Sequence, residues 1–282
     1  MEIKASDVKA LRDITGAGMM ECKKALVECN GDMAAAEKLL KEKGLAALEK
    51  RADRATSEGK IFIAANDKRA VICELTCETD FVSKNTDFIE IGNNISKTAL
   101  DKGYNEPNDV LNGMLTDLAT KIRENMTLRR LEAVEIENDM CFAQYVHSDG
   151  KTGVITLIKT ENAEARDNAE VKEFAKDCCL HIAAFLPTFI RKEDVDEKYI
   201  EEQKEIFVAR LEQDEKSKNK PENVKAGIIN GQINKHLASI CFLEQPFVKD
   251  DKVSVATKME QVGKSVGTKL SLAKVITYQL GV

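Results

Sequence analysis

No segment of this 282-residue chain is apolar for long enough to cross a membrane. The charge-free run containing His181 to Ile190 is interrupted by Pro187 and falls well short of the roughly twenty apolar residues that a spanning helix needs. The N-terminal residues Met1-Glu2-Ile3-Lys4-Ala5-Ser6-Asp7-Val8-Lys9 have neither the apolar stretch of a secretory signal nor the acid-free, Arg-rich character of an organellar transit peptide. A bacterial-type cytoplasmic location is therefore expected, with no membrane partner. Excess positive charge is also missing. Lys and Arg number 42 against 48 Asp and Glu, a formal charge of −6, which argues against direct nucleic-acid binding as the main activity.

Catalytic and nucleotide-binding motifs are equally scarce. Neither the nucleophile elbow Gly-x-Ser-x-Gly nor the phosphate-cradling Gly-x-x-x-x-Gly-Lys-[Ser/Thr] occurs, and Gly59, Gly92 and Gly113 stand alone, so no dinucleotide loop can be drawn. The chain is expected to bind no nucleotide itself. There is no Cys-x-x-Cys pair, and the three histidines (His147, His181, His236) are far apart, which leaves no recognisable metal-ligand spacing and no expected cofactor. The eight cysteines (22, 29, 73, 77, 141, 178, 179, 241) would suit a disulfide framework only in a small secreted chain, so they read as reduced thiols. Cys73 and Cys77 lie four apart on an expected strand and share a face, as small buried hydrophobes do.

What is present is the composition of a folded protein, 43% hydrophobic and 32% charged, with length for about two domains. Residues 1–45 read as a three-helix module. Ser6 is placed to cap a first helix carrying Val8 and Leu11, and Thr15-Gly16-Ala17-Gly18 breaks it. Met19, Cys22, Leu26 and Cys29 then recur at helical spacing until Asn30-Gly31, and Asp32 caps a third helix with Ala36, Leu39 and Leu40 inward. Residues 46–58 read as a charged linker. From residue 60 the period changes to that of strands, with Lys60 to Ala65 and Ala70 to Cys77 forming a hairpin across Asn66-Asp67-Lys68. Helices over Asp87 to Asp101 and Asp109 to Glu124 precede a strand over Thr127 to Glu135.

The order recurs with strands over Met140 to Val146 and Gly153 to Lys159, a helix over Ala163 to Phe185, and a last strand near Leu270 to Gln279. The expectation is an α+β protein with two similar antiparallel-sheet-plus-helix halves, residues 59–139 and 140–282. A helical hairpin is inserted at about 193–236, turning at Lys216 to Pro221. Ile200, Phe207 and Leu211 on one arm, and Ile229, Ile233 and Leu237 on the other, suit a two-stranded coiled coil.

The most unusual segment is Cys77-Glu78-Thr79-Asp80-Phe81-Val82-Ser83-Lys84-Asn85, at a strand-to-helix junction. On one reading Asp80 or Ser83 caps the following helix and Phe81 closes the core. On the other, a carboxylate and an aromatic wedge project together into a partner. Met19-Met20 is a second candidate: Met19 belongs to the inward stripe, and Met20 lies about 100° around the helix, beside a double-glycine loop.

The run Thr15-Gly16-Ala17-Gly18-Met19-Met20-Glu21-Cys22-Lys23-Lys24-Ala25-Leu26, followed by Asn30-Gly31-Asp32, resembles the N-terminal signature of the translation elongation factor Ts family. Further matches in order are Thr79-Asp80-Phe81-Val82 with Asn85, Glu124-Asn125-Met126 to Arg129-Arg130, His147 with Gly150 and Gly153-Val154, and Gln245-Pro246-Phe247-Val248. The resemblance implies a ubiquitin-associated-type bundle followed by two α+β subdomains with a coiled-coil insertion.

It also implies a guanine nucleotide exchange factor, not an enzyme of bond chemistry. Such a factor binds elongation factor Tu carrying GDP, dislodges its magnesium ion and speeds GDP release. By the same resemblance Thr79, Asp80, Phe81 and Val82 act at the partner's magnesium site, while Met19, Met20, Lys23, Ile122 and His147 contact the partner. The hairpin's role is left between self-association and other contacts. One departure is Lys121-Ile122-Arg123-Glu124-Asn125, where the family commonly has Gly in place of Arg123. If that glycine permits close approach of the partner, Arg123 must point away or reshape the contact. Two alternatives stand beside this reading: a ubiquitin-associated-type adaptor, and a thiol enzyme pairing a cysteine with His147 or His181.

Overall fold

The computed structural model describes residues 3–215 and 220–282. The chain divides into two compact units, the first built from the chain up to Ile136 together with Val146–Gly153 and Tyr278–Val282, the second from Glu137–Tyr145 and Val154–Thr277.

The first unit opens with three helices, α1 (Ala5–Thr15), α2 (Met19–Glu28) and α3 (Met33–Glu49). Their shared core is Val8, Leu11, Cys22, Ala25, Leu26 and Ala36, with Leu39 and Leu40 packed against it. The Asp32 carboxylate accepts the Ala35 N–H at 3.1 Å, capping α3 as its position before an apolar run demands. Ser6 does not cap α1, contrary to expectation. The N-cap is Lys4, and the Ser6 hydroxyl donates to Asp7 within the first turn. Helix α3 runs past residue 45, through part of the stretch read from sequence as a linker, to Glu49.

Strands β1 (Glu58–Ala65), β2 (Arg69–Cys77) and β3 (Met126–Glu135) form an antiparallel sheet in the order β1-β2-β3. Asn66 sets the β1–β2 turn, its side-chain oxygen accepting the N–H groups of Lys68 and Arg69, each at 2.9 Å. The short helix α4 (Asp80–Ser83) and the longer α5 (Thr86–Lys102) and α6 (Asp109–Ile122) connect β2 to β3. Helix α5 lies so close to β1 that a Cβ on Gly92 would sit 2.2 Å from the Phe62 ring, so only glycine fits there. Phe88, Ile95, Leu111, Leu115, Leu75 and Leu131 are among the buried side chains that fill the space between helices and sheet.

Between β2 and β3 the register slips: Glu74 faces Arg130 and Leu75 faces Leu128, leaving Arg129 unpaired as a bulge. Two arginines are thereby aimed at the fully buried Glu74, Arg129 at 3.0 Å and Arg130 at 2.6 Å. The same carboxylate accepts the Gly281 N–H at 2.9 Å, and Arg130 donates to the Gln279 carbonyl at 2.8 Å and stacks on Tyr278. The Arg129-Arg130 motif thus holds the Tyr278–Val282 segment.

The second unit repeats the plan. Strands β4 (Met140–His147), β5 (Thr152–Thr160) and β8 (Leu270–Gln279) form a three-stranded sheet in the order β4-β5-β8, covered by α7 (Ala169–Phe185) and α10 (Val255–Ser265). Both halves are therefore strand-strand-helix-helix-strand units. The helix expected over Ala163 to Phe185 is two pieces, a 3-10 turn over Ala163–Asp167 and then α7. Asn168 ends the first piece and caps the second, accepting the Glu170 N–H at 2.8 Å.

Helices α8 (Glu197–Gln213) and α9 (Glu222–Ile240) pack on each other, with Leu211 and Leu237 buried. Of the turn expected at Lys216 to Pro221, residues 216–219 lie outside the described residues. The short strands β6 (Pro246–Phe247) and β7 (Asp250–Ser254) were not foreseen from sequence. Nor was α10, although Val255, Met259, Val262 and Val266 have helical spacing.

His181 on α7 is wholly buried among the rings of Phe185, Phe242 and Phe247. The Val248 N–H donates to its Nδ1 at 3.2 Å, which leaves Nε2 to carry the proton and donate to the Gln245 side-chain oxygen at 2.9 Å. Burial holds its pKa below 6.5, the Gln245 hydrogen bond opposing this. The Gln245-Pro246-Phe247-Val248 motif is thus packing for a neutral histidine.

Candidate functional site

Thr79 begins α4 in extended conformation, and its hydroxyl oxygen accepts the Val82 N–H at 3.4 Å. The Thr79 hydroxyl in turn donates to Glu124 at 2.7 Å, and the Thr79 N–H donates to the other oxygen of the same carboxylate at 3.1 Å. One residue earlier the bracket is reciprocal: the Glu78 carboxylate accepts the Asn125 N–H at 2.7 Å. Asn125 is itself fixed, its side-chain amide donating to the Ala52 and Arg54 carbonyls at 3.0 and 2.9 Å. Glu124-Asn125 and Glu78-Thr79 therefore form a single clamp across the β2 and β3 ends.

The clamp leaves α4 with an inner and an outer side. Val82 and Ser83 are buried, Val82 in the core of the first unit and Ser83 with its hydroxyl donating to the Asp80 carbonyl at 3.0 Å. Phe81, about 100° from Val82 on a helix, is 83% exposed. The reading in which Phe81 closes the core is corrected here, as is the proposed cap. Asn85, not Asp80 or Ser83, caps α5, accepting the Asp87 N–H at 2.7 Å. Leaving a Phe ring in water forgoes about 1.5–3 kcal/mol of burial, so a rigid turn that displays one is unusual in a free-standing surface.

Asp80 stands beside that ring. Lys84, one turn on, donates to its carboxylate at 2.7 Å and holds the Asp80 pKa below the ordinary range. The i, i+4 spacing of Asp80 and Lys84 is a sequence signal for this ion pair that motif reading missed. The charges of Asp149 and Glu58 add to that of Asp80 in raising the Lys84 pKa.

His147 is exposed at the end of β4. The turn after it is conformationally strained, with Ser148 and Asp149 at φ +50° and +56°. Lys60 of β1 donates to the Asp149 carbonyl, and Lys151 pairs with Glu58 at 3.5 Å. Helix α4 also packs on β1, so that strand brings the Phe81 turn and the His147 turn to one neighbourhood.

The other expected partner residues are dispersed. On α2 both Met19 (41%) and Met20 (66%) are exposed, so Met19 is not part of the inward stripe, and Lys23 is exposed with them. Ile122 is half-buried against the core that carries Val82. Arg123 ends α6 in the left-handed region, φ +69°, with its guanidinium on Glu21 of α2. A glycine there answers to backbone conformation, since φ > 0 costs glycine nothing.

Six of the eight thiols are shifted away from reactivity. Burial pushes the pKa of Cys73, Cys77 and Cys179 up to about 12, that of Cys141 to about 11, and those of Cys178 and Cys241 upward. A catalytic thiol needs the opposite shift. Among the described residues no helix is long and apolar enough to cross a membrane.

A family model described as Elongation factor TS matches residues 78–282. Over its whole length the chain is 59% identical to the Elongation factor Ts of Treponema denticola, across 281 residues and 99% of that protein. It is 48% identical to the Elongation factor Ts of Treponema pallidum over 293 positions that cover both chains fully. It is 38% identical to that of Borreliella burgdorferi over 280 residues and 99% of each.

Proposed function

Because this chain belongs to the elongation factor Ts family, we propose that it acts on elongation factor Tu as a guanine nucleotide exchange factor, releasing GDP by disturbing the partner's magnesium site. The observation that carries this reading is Phe81, 83% exposed on a turn whose backbone is clamped by Glu124 and anchored by Val82. A rigid mount matters because a wedge that yields cannot displace anything. Magnesium demands near-ideal octahedral geometry at about 2.0–2.1 Å, so a shift of about an ångström in the surrounding elements spoils it. In a GTPase that ion bridges protein and phosphates, and losing it weakens GDP without touching base or ribose.

Asp80 supplies charge beside the wedge. Its carboxylate, paired with Lys84, would repel the nucleotide phosphates or draw cationic groups away from them. Burying Phe81 in the partner contributes free energy only in the state that GDP disfavours, which is how a binding protein shifts a nucleotide equilibrium without bond chemistry. Linkage makes this reciprocal: GDP weakens the factor's hold by the same ratio as the factor weakens GDP's. Met19, Met20 and Lys23 on α2 and His147 on β4 supply further contact surface, and the Glu78–Thr79 clamp is the positioning device. The chain makes and breaks no covalent bond in this scheme.

The test is release of fluorescent GDP from elongation factor Tu, driven by wild-type and Phe81→Ala factor, with magnesium and with EDTA. The expected result is a large deficit in magnesium that shrinks when EDTA has already removed the ion. An equal deficit in both conditions would refute the magnesium route, and no deficit would refute the wedge.

A further inference from the structure

Helix α6 carries the three-helix bundle on one face. Gly44 of α3 approaches so closely that a Cβ there would lie 2.3 Å from the Thr120 side chain, and Lys41 of α3 pairs with Asp117 at 2.9 Å. Those residues sit at helical spacing with Arg123, which closes the seam by pairing with Glu21 of α2. Between the ion pairs lies a cleft of about 440 Å³, lined in part by Ile14, Lys24, Glu37 and Leu40. The seam is therefore open and lined by charged as well as apolar side chains, unlike the buried cores on either side, while Leu48 of α3 packs against the core that carries Val82.

Arg123 occupies a backbone position that resists it. With φ +69° and ψ +29° it is the residue that stops α6, a place where glycine is unstrained and a branched-off side chain is not. Its guanidinium nonetheless reaches Glu21, whose carboxylate also accepts the Gly18 N–H at 3.1 Å and so caps α2. The guanidinium keeps the Glu21 carboxyl below its ordinary pKa. One carboxylate thus joins the first turn of α2, which displays Met19 and Met20, to the end of α6, one residue before the Glu124 that clamps Thr79. Through Arg123 and Glu124 the docking methionines and the Phe81 turn are tied to adjacent residues of one chain segment.

We propose that the Arg123–Glu21 pair is a positioning device that fixes the bundle's docking face relative to the Phe81 turn, so that elongation factor Tu meets both surfaces already in register. The proposal rests on the exchange-factor reading. Neither residue belongs to the Phe81 turn itself. Their effect is on preorganisation: with the pair broken, the bundle must be ordered when the complex forms, and affinity falls while the wedge's own action is unchanged.

The experiment compares wild type with Arg123→Gly, Arg123→Lys, Glu21→Gln and the Arg123→Gly/Glu21→Gln double variant. Glycine removes the side chain while relieving the backbone, and glutamine keeps an oxygen for the Gly18 cap, so neither should unfold the chain. GDP release is measured over a range of factor concentrations. The half-saturating concentration should rise about three- to fivefold in Arg123→Gly and in Glu21→Gln, the scale of a well-placed exposed pair, with maximal rate unchanged. The double variant should be no worse than either single one, and Arg123→Lys should recover most of the loss.

In the free chain, backbone NMR relaxation should show residues 5–49 reorienting faster than the rest of the first unit in Arg123→Gly and together with it in wild type. Unchanged relaxation with an unchanged half-saturating concentration would overturn the proposal, as would a loss confined to maximal rate. Failure of the wedge reading itself appears elsewhere, as a Phe81→Ala factor of undiminished maximal rate, and leaves the relaxation comparison to decide this pair.

Discussion

Truncating Phe81 to alanine separates fold from function by where the loss appears. Less than a fifth of the residue is covered in the free chain. A Phe side chain buries roughly 150–250 Å² when enclosed, so the apolar area that Phe81 buries within its own chain is on the order of 40 Å², or about 1 kcal/mol at 25 cal/mol per Å². The wholly buried Phe88, which packs against Phe62, is the internal control. Truncating it should cost about 3–5 kcal/mol. The remaining exposed area of Phe81 is available to the partner. If it is fully enclosed there, about 1.5–3 kcal/mol of binding favours the nucleotide-disfavouring state, a ten- to hundredfold effect on accelerated release. The assay pairs urea melts of the free factor with stopped-flow release of fluorescent GDP from elongation factor Tu. A melt midpoint that falls as far for Phe81→Ala as for Phe88→Ala, with exchange per folded molecule unchanged, would refute the argument.

Glu124→Ala should free Thr79 from its clamp, slow exchange several-fold and raise amide hydrogen exchange at Thr79 and Val82, while Glu124→Gln, which keeps one acceptor, should be milder. Glu74→Ala removes the carboxylate that Arg129, Arg130 and the Gly281 N–H share and should lower the urea-melt midpoint, releasing the Tyr278–Val282 segment to proteolysis. His181 is held neutral, so its folded pKa lies below the unfolded 6.5 and the unfolded chain takes up the proton first. Its contribution to stability is complete above about pH 6.5 and is lost as pH falls from there toward the folded value, a slope that should flatten in His181→Gln. Thiol alkylation under native conditions should leave exchange intact, because seven of the eight cysteines are buried.

The elements legible in the sequence are those written in local chemistry. Asp32 before an apolar-periodic run, Asn66 between two strand patterns and Pro187 after a long helix each act within a few residues, and each marks the boundary it was expected to mark. Period 2 and period 3.6 identified the strands of both three-stranded sheets and most of the helices, though not α10, because burial of one face imposes those periods. Where two local signals competed, the sequence misled. Ser6 resembles a cap but lies inside a turn, and Asn168 splits what periodicity alone joins.

The candidate site belongs to the second category. Helical spacing places Phe81 and Val82 on different sides of a turn, but only the packed core decides which side is inside. The same holds for Met19, which spacing assigned to the core and the bundle leaves exposed. The Glu124 clamp on Thr79 spans 45 positions, and the Arg130 pair with Glu74 spans 56, distances at which a single chain carries no readable pairing signal. Arg123 is the sharpest case: as a sequence feature it was an unexplained departure from glycine. Its left-handed backbone is the local stop of α6, but its reach to Glu21, 102 residues away, exists only once α2 and α6 have been brought together.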